Sequence, residues 1–283
     1  MKLGLVIEGG GMKCAYTAGI LDRMLDDGIH PDYVIGVSAG ASCGASFVAG
    51  QRDRNRRFFV DYVNDADYMG WTAFRHSGGN FFNLKYIYQD LTGKGGRDPL
   101  GYEAIMKNPC EFWAVATDAE TAQPYYFTKK DFCPTDYSVF MATCAIPVAC
   151  RPVKIDGRYY YDGGCSNPIP VRKALEAGCD RVIVLLCRPK DTVRTPEKHR
   201  SMYHAVLARY PKLVHSLDVR HLRYNASLNA ARRLEEKGHA LIIAPEQELE
   251  ITTYTKDPEI LQGLYDTAIR EYEDIREKLL HFC

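Results

Sequence analysis

The sequence predicts an α/β fold with a mainly parallel central sheet. The apolar run Leu3–Ile7 ends in three glycines, and a helical pattern follows in which apolar residues recur at three- and four-residue spacing up to Leu25. The run Tyr33–Val37 ends in a second glycine turn, which opens a helix of small residues over 41–49. A strand, a tight turn and a helix repeated in this order are typical of βαβ units, whose strands are parallel.

The rest of the chain continues to alternate strands and helices. The final helix carries one apolar stripe and a polar face of mixed charge, which favours packing against the fold over anchoring in a bilayer. The predicted segments are strands at 112–117 and 125–128, a helix at 139–144, a hairpin at 153–161, a helix at 171–177, buried strands at 180–187 and 240–244, and a last helix from Asp257-Pro258.

Composition excludes several classes of protein. The chain has 283 residues, of which 46% are hydrophobic and 25% charged, as in ordinary globular proteins. Disordered, collagen-like and membrane-embedded chains are therefore excluded. The 36 basic and 36 acidic residues cancel, so the net charge offers no reason to bind nucleic acid. We expect no nucleic-acid partner, and composition does not determine the oligomeric state.

The N-terminus and the cysteines indicate a reducing compartment. The first apolar run ends at Glu8 after five residues, whereas a signal peptide needs about 7–15 apolar residues. No stretch approaches the roughly 20 apolar residues of a spanning helix. The ten cysteines contain no C-x-x-C pair, so we expect buried, reduced thiols. The predicted location is cytoplasmic or peripheral to a membrane.

Residues 51–100 form an aromatic segment with several loop signals. We expect two or three short helices and an irregular surface segment there. The aromatic residues of 58–88 have two interpretations. They form a lid or an acyl-chain pocket, since lipid tails need an apolar cleft, or they form a satellite core cluster.

The motif Gly36-Val37-Ser38-Ala39-Gly40 matches the pattern G-x-S-x-G. It falls between an apolar strand and a helix of small residues, which is where a nucleophile elbow places its serine. Gly36 and Gly40 keep bulk away from the strained turn, and the helix N-terminus favours negative charge near Ser38. The alternative is an ordinary glycine-rich turn between a strand and a helix.

A second motif, Gly9-Gly10-Gly11-Met12-Lys13, ends the first strand. Three glycines let the backbone approach a ligand and direct its N–H groups outward. Such a loop cradles a phosphate or forms an oxyanion hole for acyl transfer. It is a poor nucleotide motif, because Cys14 stands at the sixth position of the G-x-G-x-x-G pattern. Lys13 binds anions or is simply solvated.

A third motif, Asp162-Gly163-Gly164, follows a run of tyrosines. Alone it is typical of a β-turn. The three motifs in this order, together with the blocks Gly4–Lys13 and Ala142–Pro147, resemble the patatin-like phospholipases, in particular the compact bacterial members. The resemblance covers roughly residues 3–187.

The resemblance implies a three-layer α/β/α sandwich and lipid acyl hydrolysis without a metal or an organic cofactor. It implies Ser38 as nucleophile, Asp162 as its base, and the backbone of Gly10, Gly11 and Met12 as the oxyanion hole. The supporting motif positions are Gly9, Lys13, Gly36, Gly40, Gly163 and Gly164. One departure is Cys14, which stands where the family usually has glycine; we expect its thiol to narrow the pocket or to alter the oxyanion loop.

The same resemblance implies one domain over 1–283. We expect a core over 1–187, a helical insertion over 188–238, and a final strand and C-terminal helix over 239–283. Residues 188–283 match no equally specific motif of the family.

The base that activates the serine has two candidates. A serine hydroxyl is a weak nucleophile until a neighbour takes its proton. His199, His204, His215 and His221 follow Ser38 in the order of a hydrolase triad, but they lie in a polar helical region. The alternative is direct pairing of Ser38 with Asp162, whose basicity rises if it is buried among the tyrosines at 159–161.

The predicted function is a serine acyl hydrolase of lipid esters, such as lysophospholipids. A thioesterase or general carboxylesterase would use the same chemistry. A different class is an anion- or nucleotide-binding regulatory protein without turnover. Residues 188–237 hold twelve Lys and Arg against five acids, a surplus of seven. These basic residues contact anionic headgroups at a membrane, or they lie on a solvated helical surface whose charge is balanced by acidic residues elsewhere.

Overall fold

The computed structural model describes residues 1–197, 200–248 and 251–283. Its eight strands form one sheet. Seven of them lie in the order β5-β6-β3-β2-β1-β7-β8, and the eighth, β4, pairs with β3. The strands are β1 Leu3–Ile7, β2 Tyr33–Val37, β3 Glu111–Asp118, β4 Pro124–Thr128, β5 Val153–Ile155, β6 Arg158–Asp162, β7 Arg181–Leu185 and β8 Ala240–Ile243.

Helices follow most strands, as the sequence predicts. Short 3-10 turns cover Gly11–Lys13, Lys129–Asp131 and Gly163–Cys165, and π-helical turns cover Arg57–Asp61 and Tyr86–Asp90. The α-helices are α1 Cys14–Asp26, α2 Ala39–Val48, α3 Arg54–Arg56, α4 Trp71–His76, α5 Tyr102–Lys107, α6 Ser138–Thr143, α7 Val171–Glu176, α8 Arg200–Val206, α9 Pro211–Asp218, α10 Arg220–Glu236 and α11 Pro258–Phe282.

The sheet is mainly parallel. β1 pairs in parallel with β2 and β7, and the parallel set extends to β3 on one side and β8 on the other. The antiparallel pairs are confined to one side, where β3 pairs with β4 and β6, and β6 pairs with β5. The hairpin of β5 and β6 turns at Asp156 and Gly157, both of which have positive φ.

Helices cover both faces of the sheet, which confirms the three-layer α/β/α architecture. Leu5 and Ile7 of β1 point into a core shared with α1, α2 and α11. Val6, between them, points into a second core shared with α7 and α10. Because neighbouring strand residues point to opposite faces, a strand buried on both sides reads as one continuous apolar run.

The register on β3 brings the ends of two strands together. Val37, the last residue of β2, pairs with Val115, and Asp162, the last residue of β6, pairs with the next residue, Ala116. β4 occupies the opposite edge of β3. β2 and β6 therefore share one edge of β3, run toward each other, and end at adjacent positions.

The thiols agree with the expectation from the sequence. All ten cysteines are free, and all except Cys133 and Cys283 are buried. Most therefore act as small apolar residues of the two cores.

Across the described ranges, no helix combines the length and the apolar character that crossing a bilayer requires.

Two glycines test the packing of α11 against α1. A Cβ at Gly19 would lie 2.6 Å from the carbonyl oxygen of Tyr265, whereas a Cβ at Gly263 meets no atom within 4 Å. We expect Gly19→Ala to lower the free energy of unfolding by about 1–3 kcal/mol, because α1 and α11 must separate. Gly263 is exposed within α11, so Gly263→Ala should raise the free energy of unfolding by about 0.5–1 kcal/mol.

Denaturant unfolding of the two variants beside the parent chain measures both effects. Equal stability of the two variants would contradict the close approach of α1 and α11 at Gly19.

Candidate active site

Ser38 lies on a strained turn between β2 and α2. Its backbone has φ 54° and ψ −134°, a conformation that side chains other than glycine rarely adopt. Its carbonyl oxygen accepts hydrogen bonds from the amides of Ala41 and Ser42, which starts α2. Ser38 is therefore held at the N-terminus of α2, in the geometry expected of a nucleophile elbow.

The flanking glycines are required by the close approach of the backbone. A Cβ at Gly36 would lie 2.5 Å from Cα of Ala41, and a Cβ at Gly40 would lie 2.3 Å from the carbonyl oxygen of Glu8. A side chain at Gly36 would push α2 away from the end of β2, and one at Gly40 would push it away from the end of β1. The pattern G-x-S-x-G is thus explained by packing around the turn.

Thr143 fixes the backbone of Ser38, and the sequence analysis did not single it out. The amide of Ser38 donates to the Thr143 hydroxyl over 2.9 Å, and that hydroxyl donates to the carbonyl oxygen of Val115. Thr143 is fully buried. It therefore links the serine turn to the same point on β3 where β2 and β6 meet. Its position in the block Ala142–Pro147 is the one signal that could have identified it.

Asp162 is held at the end of β6 by three hydrogen bonds. Its amide donates to the carbonyl oxygen of Ala145, and its own carbonyl oxygen accepts from Thr117 Oγ1 over 2.8 Å. Its Oδ1 accepts from the amide of Gly164 over 2.7 Å. A Cβ at Gly163 would lie 2.1 Å from the carbonyl oxygen of Val115, so this turn sits directly against β3.

The side chains of Ser38 and Asp162 line the same cavity. Both are buried, each with 6% of its surface exposed. Burial raises the pKa of the Asp162 carboxyl, whereas the nearby Ser38 hydroxyl, the charge of Arg220 and the Gly164 amide lower it; burial is the largest of these effects, and the pKa is raised. The carboxyl is therefore a stronger base than a solvated aspartate.

The glycine loop lies beside the serine turn. A Cβ at Gly9 would lie 2.8 Å from Cβ of Ser38, and a Cβ at Gly10 would lie 2.2 Å from Sγ of Cys187. Gly11 has φ 57°, and a Cβ there would meet Thr253. Only glycine fits these three positions. The amides of Gly10 and Gly11 donate no hydrogen bond to any part of the chain that the structure describes.

Lys13 and Cys14 differ from the expectations. The interpretation of Lys13 as solvated is wrong: the residue is buried, and its Nζ lies 2.8 Å from Oε1 of Glu248. Cys14 is fully buried at the start of α1 and lines neither of the cavities at Ser38. Its thiol therefore packs into the core rather than narrowing the space beside the serine.

Ser38 stands between two cavities, and Ser38, Gly11 and Ile146 line both. We call the first the apolar cavity. Its wall is formed by Met12 of the glycine loop and by side chains from the aromatic segment, among other residues. Those side chains belong to the main hydrophobic core or pack against it, so they form core as well as cavity wall and not a separate satellite cluster. They are Phe58, Phe59, Tyr68, Phe82, Leu84, Ile87 and Tyr88.

The second, which we call the polar cavity, has a volume of about 240 Å³. Asp162, Gly9 and Gly10 line it on one side, and Arg188, Arg194 and Arg220 line it as well, with other groups. The sequence analysis counted these arginines only within the basic surplus of 188–237. Their convergence depends on the packing of α10 and of the segment after β7, which no local pattern encodes.

Histidine is absent from the neighbourhood of the serine within the described ranges. No histidine described by the structure lines either cavity. His204 instead pairs with Asp218, with Nε2 3.1 Å from both carboxylate oxygens. His199 lies outside the described residues. The carboxylate of Asp162 lines the polar cavity together with Ser38.

Comparison with known proteins identifies the family. A family profile described as patatin-like phospholipase matches residues 5–175, which contain all three glycine-rich motifs. The chain belongs to the patatin-like phospholipase family. A second profile, a domain of unknown function (DUF6363), matches residues 210–283. The family is one of lipid hydrolases, and the expectation of a single domain stays a prediction.

Relatives of this patatin-like chain carry names without an activity. It is 28% identical to the uncharacterized protein YjjU of Escherichia coli over 71% of this chain and 56% of that protein. It is 24% identical to an uncharacterized NTE family protein of Mycobacterium tuberculosis over 65% of this chain and 48% of that protein. The chain thus spans about half the length of the curated relatives it matches.

A solved structure, that of VipD from Legionella pneumophila, aligns with 98% of this chain and 66% of that chain, with a TM-score of 0.48 and 12% sequence identity.

Removing the Thr143 hydroxyl tests its support of the patatin-like serine turn. Thr143→Val keeps the shape but leaves the buried amide of Ser38 without its acceptor, so we expect a loss of about 1–3 kcal/mol in the free energy of unfolding. Fluorophosphonate labelling of Ser38 should slow as well, because the strained turn loses an anchor.

Thr17→Val is the matched control, because its equally buried hydroxyl makes no hydrogen bond to oxygen or nitrogen of any described residue. Thermal denaturation and labelling rates measure both variants. If Thr143→Val behaved like Thr17→Val, the anchoring role of Thr143 would be refuted.

Proposed function

We propose that the protein is a serine acyl hydrolase of lipid esters that uses Ser38 and Asp162 as a catalytic dyad. The observation that carries the proposal is the buried pair formed by a serine on a strained strand-to-helix turn and a carboxylate with a raised pKa. A serine needs a neighbouring base to become a nucleophile, and Asp162 is the base at hand.

The first half-reaction forms an acyl-enzyme. Asp162 accepts the hydroxyl proton of Ser38 while the Ser38 oxygen attacks the ester carbonyl carbon. The tetrahedral intermediate then collapses, the bond to the alcohol breaks, and the alcohol leaves with the proton from Asp162. In the second half, Asp162 takes a proton from the water that attacks the acyl carbon. The second tetrahedral intermediate then collapses, the bond to Ser38 breaks, and Asp162 returns the proton to Ser38 Oγ as the acid leaves.

The glycine loop is the proposed oxyanion hole. Amides at Gly10, Gly11 and Met12 would stabilise the negative charge on the carbonyl oxygen, an effect of about 3–4 kcal/mol per donor. The loop is packed against the serine turn at Gly9, and its amides at Gly10 and Gly11 donate to no described residue. The N-terminus of α2 adds a favourable dipole at the same point.

The apolar cavity, with a volume of about 70 Å³, is suited to the apolar part of an acyl group. Its wall is mainly apolar, and Ser38 lines both this cavity and the polar cavity. A hydrocarbon tail in that cavity would leave the ester carbonyl beside Ser38. Thioesterases and general carboxylesterases share the dyad chemistry, so a profile of substrates separates them from a lipid hydrolase.

A regulatory, anion-binding role without turnover is the remaining alternative. It predicts that a phosphate binds at the glycine loop and that Ser38 is inert. The pairing of buried Lys13 with Glu248 reduces the positive charge available to a phosphate there. The observations therefore favour turnover.

Labelling and hydrolysis test the dyad together. Ser38→Ala should lose fluorophosphonate labelling, and Asp162→Asn should hydrolyse short p-nitrophenyl esters about 10²–10⁴-fold more slowly. Exposed Ser201→Ala and Asp156→Asn, in the turn before β6, are matched controls that should keep the parent activity. Persistent labelling of Ser38→Ala would refute the nucleophile, and undiminished turnover of Asp162→Asn would refute the base.

The stability of Asp162→Asn separates a catalytic from a structural loss. Since burial raises the pKa of Asp162, ionising this group costs folding free energy near neutral pH. Asparagine keeps the acceptor for Gly164 without the charge, so the unfolding temperature at pH 7 should stay equal or rise. An unfolding temperature of Asp162→Asn below that of the parent chain at pH 7 would contradict this expectation.

The pH dependence follows from the same shift. The base works only when ionised, so kcat/KM should fall as pH falls through the raised pKa of Asp162. The acidic limb of the profile should therefore lie above the ordinary aspartate range near 3.9. Stopped assays with a p-nitrophenyl ester across pH 4 to 8 give the limb, and a limb within the ordinary range would contradict the assignment.

A further inference from the structure

The apolar cavity has one charged side chain in its wall. Among the residues that the structure describes there, Arg54 alone carries a charge. Only 4% of its surface is exposed, and burial lowers the pKa of its guanidinium to about 10, although the charge of Asp98 acts in the opposite sense. A charged group is costly in apolar surroundings unless polar atoms satisfy it. The contacts of Arg54 therefore indicate what this cavity can accept.

Arg54 lies about one helix length from Ser38. The cavity follows one face of α2, at the positions Ala39, Ser42 and Ala45. Nη1 of Arg54 donates over 2.9 Å to Oγ of Ser46, the next residue along this helix. From Ser38 to Ser46 the helix rises by about 12 Å, at about 1.5 Å per residue. An acyl chain that starts at Ser38 and follows α2 therefore ends beside the guanidinium of Arg54.

The guanidinium of Arg54 is held between residues of the cavity wall. Its central carbon lies 4.3 Å from the ring centre of Phe58, and Nη2 donates to Thr92 Oγ1 over 3.1 Å; Phe58 and Thr92 both line the cavity. Nη2 also donates to the carbonyl oxygen of Asp98 over 3.0 Å. These contacts and the hydrogen bond to Ser46 fix the position of Arg54, so the cavity has a defined polar end.

Arg54 keeps N–H donors without acceptors. A guanidinium has five N–H groups, and Ser46, Thr92 and the Asp98 carbonyl use three of those of Arg54. Its Nε is buried and makes no hydrogen bond to any residue that the structure describes. A buried donor without an acceptor costs free energy. An oxygen atom of a ligand at this end of the cavity would supply the acceptor.

The Asp98 carboxylate favours a neutral ligand oxygen over an anionic one. Its two oxygens accept from Arg57 over 2.6 and 3.1 Å, and its Oδ1 lies 3.5 Å from Nε of Arg54. Burial acts to raise the pKa of Asp98, but Arg57 and Arg54 outweigh it, so the pKa is lowered and the group is charged. A second carboxylate at Arg54 would be repelled by this charge. The oxygens that accept hydrogen bonds from Arg54 are neutral, as a hydroxyl is.

We propose that the apolar cavity selects an acyl chain with a hydroxyl group at its far end, and that Arg54 binds the hydroxyl oxygen. The inference rests on the proposed function, because it requires the ester carbonyl at Ser38. The chain between the two ends is apolar, as is most of the cavity wall. A methyl end in the same place would leave the buried donor of Arg54 unpaired, and a site of that kind discriminates against an analogue without the polar group. The substrate class is an ester of a medium-length hydroxy fatty acid.

A matched pair of esters tests the preference. The p-nitrophenyl esters of 8-hydroxyoctanoic acid and nonanoic acid differ only in the hydroxyl that replaces the last methyl group. The parent chain should hydrolyse the hydroxy ester with a kcat/KM at least about tenfold higher, although the other ester is the more hydrophobic. Arg54→Met, which keeps an unbranched side chain without its donors, should reduce the ratio of the two constants by about ten- to a hundredfold.

Arg52→Met is the matched control, because it removes an exposed arginine that lines neither cavity, and it should leave the ratio unchanged. Esters of hydroxy-ended acids of 6, 8 and 10 carbons, each beside its methyl-ended partner, test the parent chain without a mutation. Because Arg54 is fixed in place, the preference for the hydroxyl should peak at one length. The mono-ester of nonanedioic acid, which ends in a carboxylate, should be hydrolysed more slowly than the hydroxy ester.

The outcomes separate this inference from the function beneath it. Methyl-ended esters hydrolysed as fast as their hydroxy partners at every length would overturn the inference and leave the hydrolase intact. Circular dichroism shows whether Arg54→Met is folded, and an unchanged ratio in the folded variant would overturn the role of Arg54. Faster hydrolysis of the carboxylate-ended ester would overturn the choice of a neutral group. Absence of turnover with every ester, together with absence of fluorophosphonate labelling, would overturn the proposed function as well.

Discussion

The site depends on the point where two strands meet on one edge of β3. β2 and β6 run toward each other and end opposite Val115 and Ala116, so the residues at their ends become neighbours although more than a hundred positions separate them. Thr143 and Gly163 lock that point, the first by hydrogen bonds and the second by close packing. The proximity of Ser38 and Asp162 is thus a consequence of sheet register.

Much of the fold follows from patterns that lie close together in the sequence. Apolar runs and glycine turns predicted β1, β2, α1 and α2, because burial on both faces and tight turns leave local marks. The glycines at 36 and 40 predicted the shape of the serine turn for the same reason. Thr143, the pairing of Lys13 with Glu248 and the arginine convergence could not be predicted, since each depends on contacts between distant segments.

Burial sets the chemistry of the pair. The same packing that excludes water around Asp162 makes its carboxyl more basic, and the Ser38 hydroxyl and the Arg220 charge partly reverse that effect. In the proposed function, the ionised Asp162 therefore costs stability but supplies a base beside the nucleophile. Active sites commonly hold groups that lower the stability of the fold but that the chemistry requires.

A titration of the Asp162 carboxyl tests the proposed pairing of Ser38 with Asp162 most directly. Carbon-13 NMR of the protein labelled at aspartate carboxyls, with Asp162→Asn to assign the signal, gives its pKa. The account predicts a pKa above the ordinary aspartate value, and a further rise in Ser38→Ala, because the hydroxyl that favours the charged form is gone. A carboxyl that titrates in the ordinary range and does not respond to Ser38→Ala would contradict it.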